Sequence, residues 1–168
     1  MTGPALYHIH PSPLGELLLT SNGEALTGLH LPGGRHPPVI GDAAEEHAEP
    51  FRAVCLQLDE YFAGRRQHFE IPLAPTGTPF QRRVWSVLLT IPFGETRSYG
   101  EVALALGSPR AVRAVGAANG RNPIAVVIPC HRVIAADGSL GGYGGGLARK
   151  ESLLALENGL RPASVRGH

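Results

Sequence analysis

The sequence predicts an α/β protein, α+β in arrangement, built in two parts. A small mixed domain occupies residues 1–77, and a helical domain with a helix-turn-helix occupies residues 78–168. Three observations predict this. Short apolar runs separated by turn residues fill the first thirty positions. Helix-start signals followed by apolar stripes at helical spacing dominate after Thr78. Charge changes sign between the parts: residues 1–77 carry four arginines and nine acidic residues, a net −5, whereas residues 78–168 carry ten arginines, one lysine and five acidic residues, a net +6.

In the first part, Leu6–His10 and Glu16–Thr20 read as strands around the turn Pro11–Gly15. A third strand, Ala25–His30, follows Asn22-Gly23, a strong hairpin signal. Residues Pro32 to Asp42 read as loop. A helix is expected from about Pro50 to Phe62, with Phe51, Val54, Cys55, Leu58 and Phe62 on its core face. The Pro-containing stretch Ile71–Gly77 reads as a linker. His8 and His10 alternate on a strand and, with Cys55, are too sparse to read as a metal site, so no metal is expected.

The second part is more clearly punctuated. Thr78-Pro79-Phe80-Gln81 offers a capping box with proline at the first helical position. Phe80, Val84, Val87, Leu88 and Ile91 form the stripe of that helix, which Pro92-Phe93-Gly94 ends. Ser98-Tyr99-Gly100-Glu101 is a second capping box, opening a short helix to Leu106. Gly107 stops it. Ser108-Pro109 starts the next helix, Pro109–Asn119, the recognition helix of a helix-turn-helix. Arg110 and Arg113 lie three apart on it, and its small residues, Ala114 and Gly116 among them, allow close backbone approach to another surface. A last helix runs from about Leu147 to Asn158 and ends at Gly159.

Between these helices lies the most informative stretch. Ile124–Ile128 reads as a buried strand, and Pro129 ends its pairing. Cys130 is therefore expected at an exposed strand end beside His131 and Arg132, where neighbouring cationic and proton-accepting groups favour a thiolate nucleophile. A lone cysteine is more often a buried structural residue. Its setting here, behind a helix-turn-helix in a basic half, favours chemistry on a polyanion.

The composition bounds the rest. At 43% apolar and 17% charged, the chain suits a soluble globular protein. No stretch is apolar and long enough to span a bilayer. Met1–Ala5 has no basic start and no apolar run, so no signal peptide is expected. Two distant cysteines fit a reducing cytoplasm.

The stretch Arg113-Ala114-Val115-Gly116, then Asn122-Pro123, then Ile128-Pro129-Cys130-His131-Arg132-Val133, resembles the O6-alkylguanine-DNA alkyltransferases, also called methylated-DNA–protein-cysteine methyltransferases. The resemblance covers Thr78 to Asn158, about half the chain. It implies an RNase H-like α/β domain in the N-terminal half and a helix-turn-helix, winged-helix-like domain carrying the active cysteine. It implies irreversible, single-turnover transfer of the alkyl group from O6-alkylguanine, and from O4-alkylthymine, in duplex DNA to Cys130 after base flipping. His131 matches the base acting on the thiol through a water, and Glu157 the carboxylate that orients it. Adjacent side chains on an extended segment point apart, which favours a water bridge between Cys130 and His131. Asn122 matches an asparagine bridging the recognition helix to the cysteine segment, and Tyr143 a tyrosine donating to the departing purine. Tyr99 matches the residue that rotates the nucleotide out, and Arg113 the arginine that replaces it in the stack; Arg110, Ala114 and Gly116 complete the DNA face. Pro129, Val133, Gly144, Gly145 and Lys150 are the implied pocket wall. Many members carry Ser where this chain has Gly144, which removes a hydroxyl near O6. The zinc ligands of some eukaryotic members are missing. No cofactor is implied, and no nucleotide-binding loop is found. The implied partner is double-stranded DNA, gripped through the minor groove without sequence preference by a cytoplasmic protein that is monomeric in solution and can cooperate on DNA. Two other readings stand beside this one: a sensor that holds damaged guanine without transfer, against which Cys130 argues, and a Cys–His hydrolase or regulator using the helices only for DNA.

Overall fold

A computed structural model describes residues 5–34, 36, 38 and 40–159. The chain divides into two compact units. One holds the residues up to Thr76 together with Pro123–Val127; the other holds Gly77–Asn122 and the chain from Ile128 onward. The contiguous division at residue 77 does not anticipate this excursion.

The first unit is a four-stranded sheet of order β3-β2-β1-β4, with β1 Leu6–His10, β2 Leu17–Ser21, β3 Leu26–His30 and β4 Glu45–Glu46. β1–β2 and β2–β3 are antiparallel hairpins and β4 joins β1 in parallel. In β2 the alternation works as the period of two demands: Leu17, Leu19 and Ser21 point into the core. Gly23 takes φ 98°, the turn conformation its place after Asn22 predicts. β4 has no sequence signal, being two exposed glutamates. The helix α1, Arg52–Phe62, begins after a 3₁₀ turn at Glu49–Phe51. Its core face is Val54, Gln57, Leu58 and Tyr61. Tyr61 replaces Phe62 there, and Cys55 is half-buried instead of central. Gln57, outside the apolar stripe, exchanges two hydrogen bonds through its amide with the Glu70 backbone. The expected linker is partly pinned, since Leu26 N–H donates to Pro72 and Ala74 N–H to Leu26. Within the loop Pro32–Asp42, Arg35, Pro37 and Val39 lie outside the described residues, as do residues 1–4 of the N-terminal reading.

The second unit contains α2 Pro79–Leu88, β5 Arg97–Ser98, α3 Tyr99–Ala105, α4 Val112–Gly120, β6 Val133–Ile134 and α5 Leu147–Gly159. Both expected capping boxes are formed. Thr78 Oγ1 accepts from Gln81 N–H at 3.1 Å while the Gln81 side chain accepts from Thr78 N–H at 3.0 Å. Ser98 and Glu101 repeat the exchange at 3.0 and 2.8 Å. The core joins Val84, Trp85 and Leu88 of α2 to Val102, Val115, Ile128, Val133 and Leu153. Trp85, absent from the expected stripe, donates to the Ala118 carbonyl at 2.9 Å and so ties α2 to α4. Gly107, at φ 76°, makes the turn between α3 and the approach to α4. α4 starts at Val112, three residues later than expected, because Pro109 and Arg110 are used up in a turn closed by Ala111 N–H on Ser108.

Candidate active site

Ile124–Ile128 is not a strand. Ile124 forms a single bridge with Leu29, and residues 125–127 turn. Prolines at 123 and 129 bracket too short a run for a ladder, and Val126 sits at φ 70°, a conformation that costs a β-branched residue about 1–3 kcal/mol. Leu29 receives this segment through its N–H to Pro123 and its carbonyl from Ala125. The two ends of the excursion are clasped by Asn122, whose Nδ2 donates to the Ile128 carbonyl at 2.8 Å.

Cys130 consequently opens a 3₁₀ turn, Cys130–Arg132, in place of an exposed strand end. It is only 5% exposed. Three residues per turn send Cys130 and His131 in different directions, so their side chains still diverge although the segment is not extended. Burial pushes the Cys130 thiol up; the polar side chains of Asn122 and Tyr143 and the charge of Lys150 pull it down without fully offsetting burial. The resting sulfur is thus a protonated thiol with partners that favour its thiolate. Asn119, not singled out from the sequence, donates to the Cys130 carbonyl at 3.3 Å.

Behind the cysteine lies a fully buried ionic cluster. His131 Nε2 meets Glu157 Oε2 at 2.8 Å. Arg132 donates to both carboxylate oxygens at 2.8 and 2.9 Å, and to the Ile91 carbonyl at 2.7 Å. Gly94 N–H adds a fourth donor. Burial alone would raise the Glu157 carboxyl, but His131 and Arg132 hold it well below the usual carboxylate range. Burial, seconded by the Arg132 and Lys150 charges, lowers His131 despite the pull of Glu157. A carboxylate can only accept, so the proton of neutral His131 resides on Nε2. Nδ1 is then a lone pair, and it has no hydrogen-bond partner among the described residues. Glu157 near a helix end would ordinarily face solvent. Here it is 1% exposed, because α5 turns that face inward. Arg132, read from the sequence as a cationic neighbour of the thiol, spends its charge on Glu157 instead and neutralises it.

Lys150 is fully buried and donates to the carbonyls of Val133, Leu140 and Gly142 at 2.6, 2.5 and 3.3 Å. It staples the glycine-rich loop to β6. Burial lowers its pKa to about 8, against the opposing pull of the Cys130 charge. The loop delivers Tyr143, 7% exposed, to the cysteine. A Cβ on Gly144 would meet the Gly120 carbonyl at 3.5 Å, an ordinary contact. Pro129 and Val133 are buried beside Cys130 in sequence, and Gly145 is half-buried in the loop.

Tyr99, at the start of α3, lies between α4 and the glycine-rich loop. Its ring is 3.9 Å from where a Gly116 Cβ would stand, and its hydroxyl 3.1 Å from that of Gly141. Its pKa is raised by burial and then by the Cys130 charge. Arg113 and Ala114 are exposed on α4. Arg110 is exposed in the preceding turn and does not share a helical face with Arg113.

Two family models match the chain: the 6-O-methylguanine DNA methyltransferase ribonuclease-like domain over residues 5–75, and the DNA binding domain of the same family over 79–159. A methylated-DNA–protein-cysteine methyltransferase of Methanosarcina acetivorans is 50% identical over 90% of this chain and 97% of its own length. One from Mycobacterium tuberculosis is 48% identical over 95% and 96%. The crystal structure of the M. tuberculosis O6-methylguanine methyltransferase matches with a TM-score of 0.87 at 48% identity, over 95% of this chain and 96% of that one. A structure of M. tuberculosis OGT in complex with DNA matches with the same score at 47% identity, over 96% and 98%. With ribonuclease-like and DNA-binding domains matched in order, and a buried cysteine backed by a histidine–carboxylate pair, the chain belongs to the methylated-DNA–protein-cysteine methyltransferase family.

Proposed function

We propose that this protein repairs DNA by direct reversal, moving the alkyl group of O6-alkylguanine, and of O4-alkylthymine, in duplex DNA onto Cys130. The observation that carries this is the order of charge behind the thiol: ionised Glu157 fixes the His131 proton on Nε2 and leaves Nδ1 free to accept. Glu157 orients the histidine. His131 takes the thiol proton through a water. The sulfur attacks the alkyl carbon, the carbon–O6 bond breaks, and the guanine recovers a proton as Tyr143 donates a hydrogen bond to the departing oxygen. Asn122 and Lys150 hold the thiolate and the pocket wall. The thioether formed is stable to thiol exchange, so each molecule acts once, and no cofactor enters.

DNA binding belongs to the unit that contains α3 and α4. The exposed small residues of α4 suit close approach in the minor groove, with Tyr99 turning the nucleotide out and Arg113 filling its place. Arg110 serves the phosphates from its turn. Binding is sequence-tolerant, by a monomer that can cooperate on DNA, and the sparse cysteines suit the cytoplasm.

Duplex DNA carrying labelled O6-methylguanine, supplied in excess over protein, tests the reading. One methyl per protein should appear on the peptide containing Cys130, and none in Cys130→Ser. Binding without covalent label would indicate a sensor; released label would indicate a hydrolase.

A further inference from the structure

His8 and His10 on β1 and Cys55 on α1 read as too sparse for a metal site in the sequence, yet folding brings them together. One ring nitrogen of each histidine and the Cys55 sulfur lie within 4.8 Å of one another. We infer that these three residues form a binding site for a zinc-class divalent ion in the first unit, with Asp59 orienting His10.

Four observations support the site. First, the donors are two imidazoles and a thiol, the set that selects borderline-soft transition metals over magnesium or calcium. Second, His8 Nδ1 is buried without a hydrogen-bond partner among the described residues, a cost that ligation through this nitrogen would remove. Third, His10 Nε2 is 2.7 Å from Asp59 Oδ1, the carboxylate–histidine pairing that fixes a ligating ring. Fourth, the Cys55 thiolate and the Asp59 carboxylate together balance a divalent charge. Donors in a tetrahedral zinc site stand about 3.3–3.7 Å apart, so closure asks for side-chain movements of about 1 Å. Three protein ligands leave a fourth position for water.

Binding exchanges a proton for a metal: the Cys55 S–H gives H⁺ to solvent as the metal–sulfur bond forms. Without metal that thiol is held protonated, burial and the Asp59 charge pushing it to about 11. The ion would fasten α1 to β1 and stabilise the first unit while leaving the acceptor cysteine untouched.

Metal-free full-length protein titrated with Co²⁺ tests this. One equivalent should give a thiolate-to-cobalt charge-transfer band and intense visible absorption of tetrahedral cobalt, displaced by Zn²⁺. The spectrum should persist in Cys130→Ser and vanish in Cys55→Ser. His10→Gln, which can still reach Asp59, should weaken binding about tenfold or more and serves if Cys55→Ser folds poorly. Zn²⁺ should raise Tm in the wild type and in Cys130→Ser but not in Cys55→Ser. No charge-transfer band at one equivalent, a band surviving Cys55→Ser, or a band lost in Cys130→Ser overturns the inference.

Discussion

Replacing Glu157 with glutamine leaves the shape of the buried cluster and removes its charge, stranding Arg132 without a counter-ion. Breaking such a pair costs about 3–5 kcal/mol, and urea midpoints should show a loss of that order. The same cluster sets an acid dependence. His131 is lowered in the folded state, so below its ordinary value of about 6.5 the unfolded chain takes up the proton and stability falls. Glu157 is depressed, so its contribution is present above the ordinary glutamate value of about 4.3 and is lost as pH falls through that range towards its folded value. Unfolding free energy should therefore decline from pH 7 towards pH 4 through His131; in Glu157→Gln, where His131 loses the upward pull of the carboxylate, that decline should be at least as steep, while the further loss below the glutamate range should disappear. A flat profile in the wild type would contradict the assignment. Lys150→Met should raise the Cys130 thiol further, shifting the pH profile of its reaction with iodoacetamide upward; an unchanged profile would remove Lys150 from the sulfur's electrostatics. The sequence made Cys130, His131, Asn122, Tyr143 and Glu157 legible as candidates. It did not reveal Arg132 as the partner of Glu157 or Asn119 as a donor to Cys130. Those roles depend on where α5 and α4 end up, and an arginine or asparagine carries no local sign of such a partner.

α4 presents a bare surface, with Arg113 the long side chain among Ala114, Gly116 and Ala117. Arg113→Ala should slow repair of duplex DNA more than reaction with a free alkylguanine base, since the free base needs no extrusion; equal losses would move Arg113 out of flipping. The glycine-rich loop gives an internal control. Gly141 is at φ 68° and a Cβ there would press on the Tyr99 hydroxyl, whereas one on Gly142 meets nothing within 4 Å. Gly141→Ala should cost about 1–3 kcal/mol and slow duplex repair, and Gly142→Ala should do neither, as thermal melts and single-turnover rates will report. Helices announced by capping boxes were readable because the capping residues act locally. The segment 124–128 reads as a strand because apolar, β-branched composition signals burial, and burial here comes without a ladder. β4, β5 and β6, two residues each, are too short to leave a period.

Across the molecule, charge changes sign between the two parts of the chain. If the basic half grips phosphates, affinity for undamaged duplex should fall steeply with salt, with a slope near −0.9 per phosphate contacted, and should vary little with sequence. Weak salt dependence, or strong preference for one unmodified sequence, would favour a regulator. The division into a sheet-bearing and a helical part was legible from strand spacing, capping and charge. That the chain leaves the second unit at Asn122 and returns at Ile128 was not, because five apolar residues do not declare which core they join. Among the described residues no helix is long and apolar enough to cross a membrane.

That excursion bears on how such a chain can be recombined. Cut at residue 77, the amino-terminal piece would lose the stretch that pairs with Leu29, and the carboxy-terminal piece would carry Ile124, Val126 and Val127 without the unit that buries them. Swapping halves between relatives as cassettes would thus splice two mismatched seams instead of one. A chimera keeps its seam matched only if residues 123–127 travel with the amino-terminal donor.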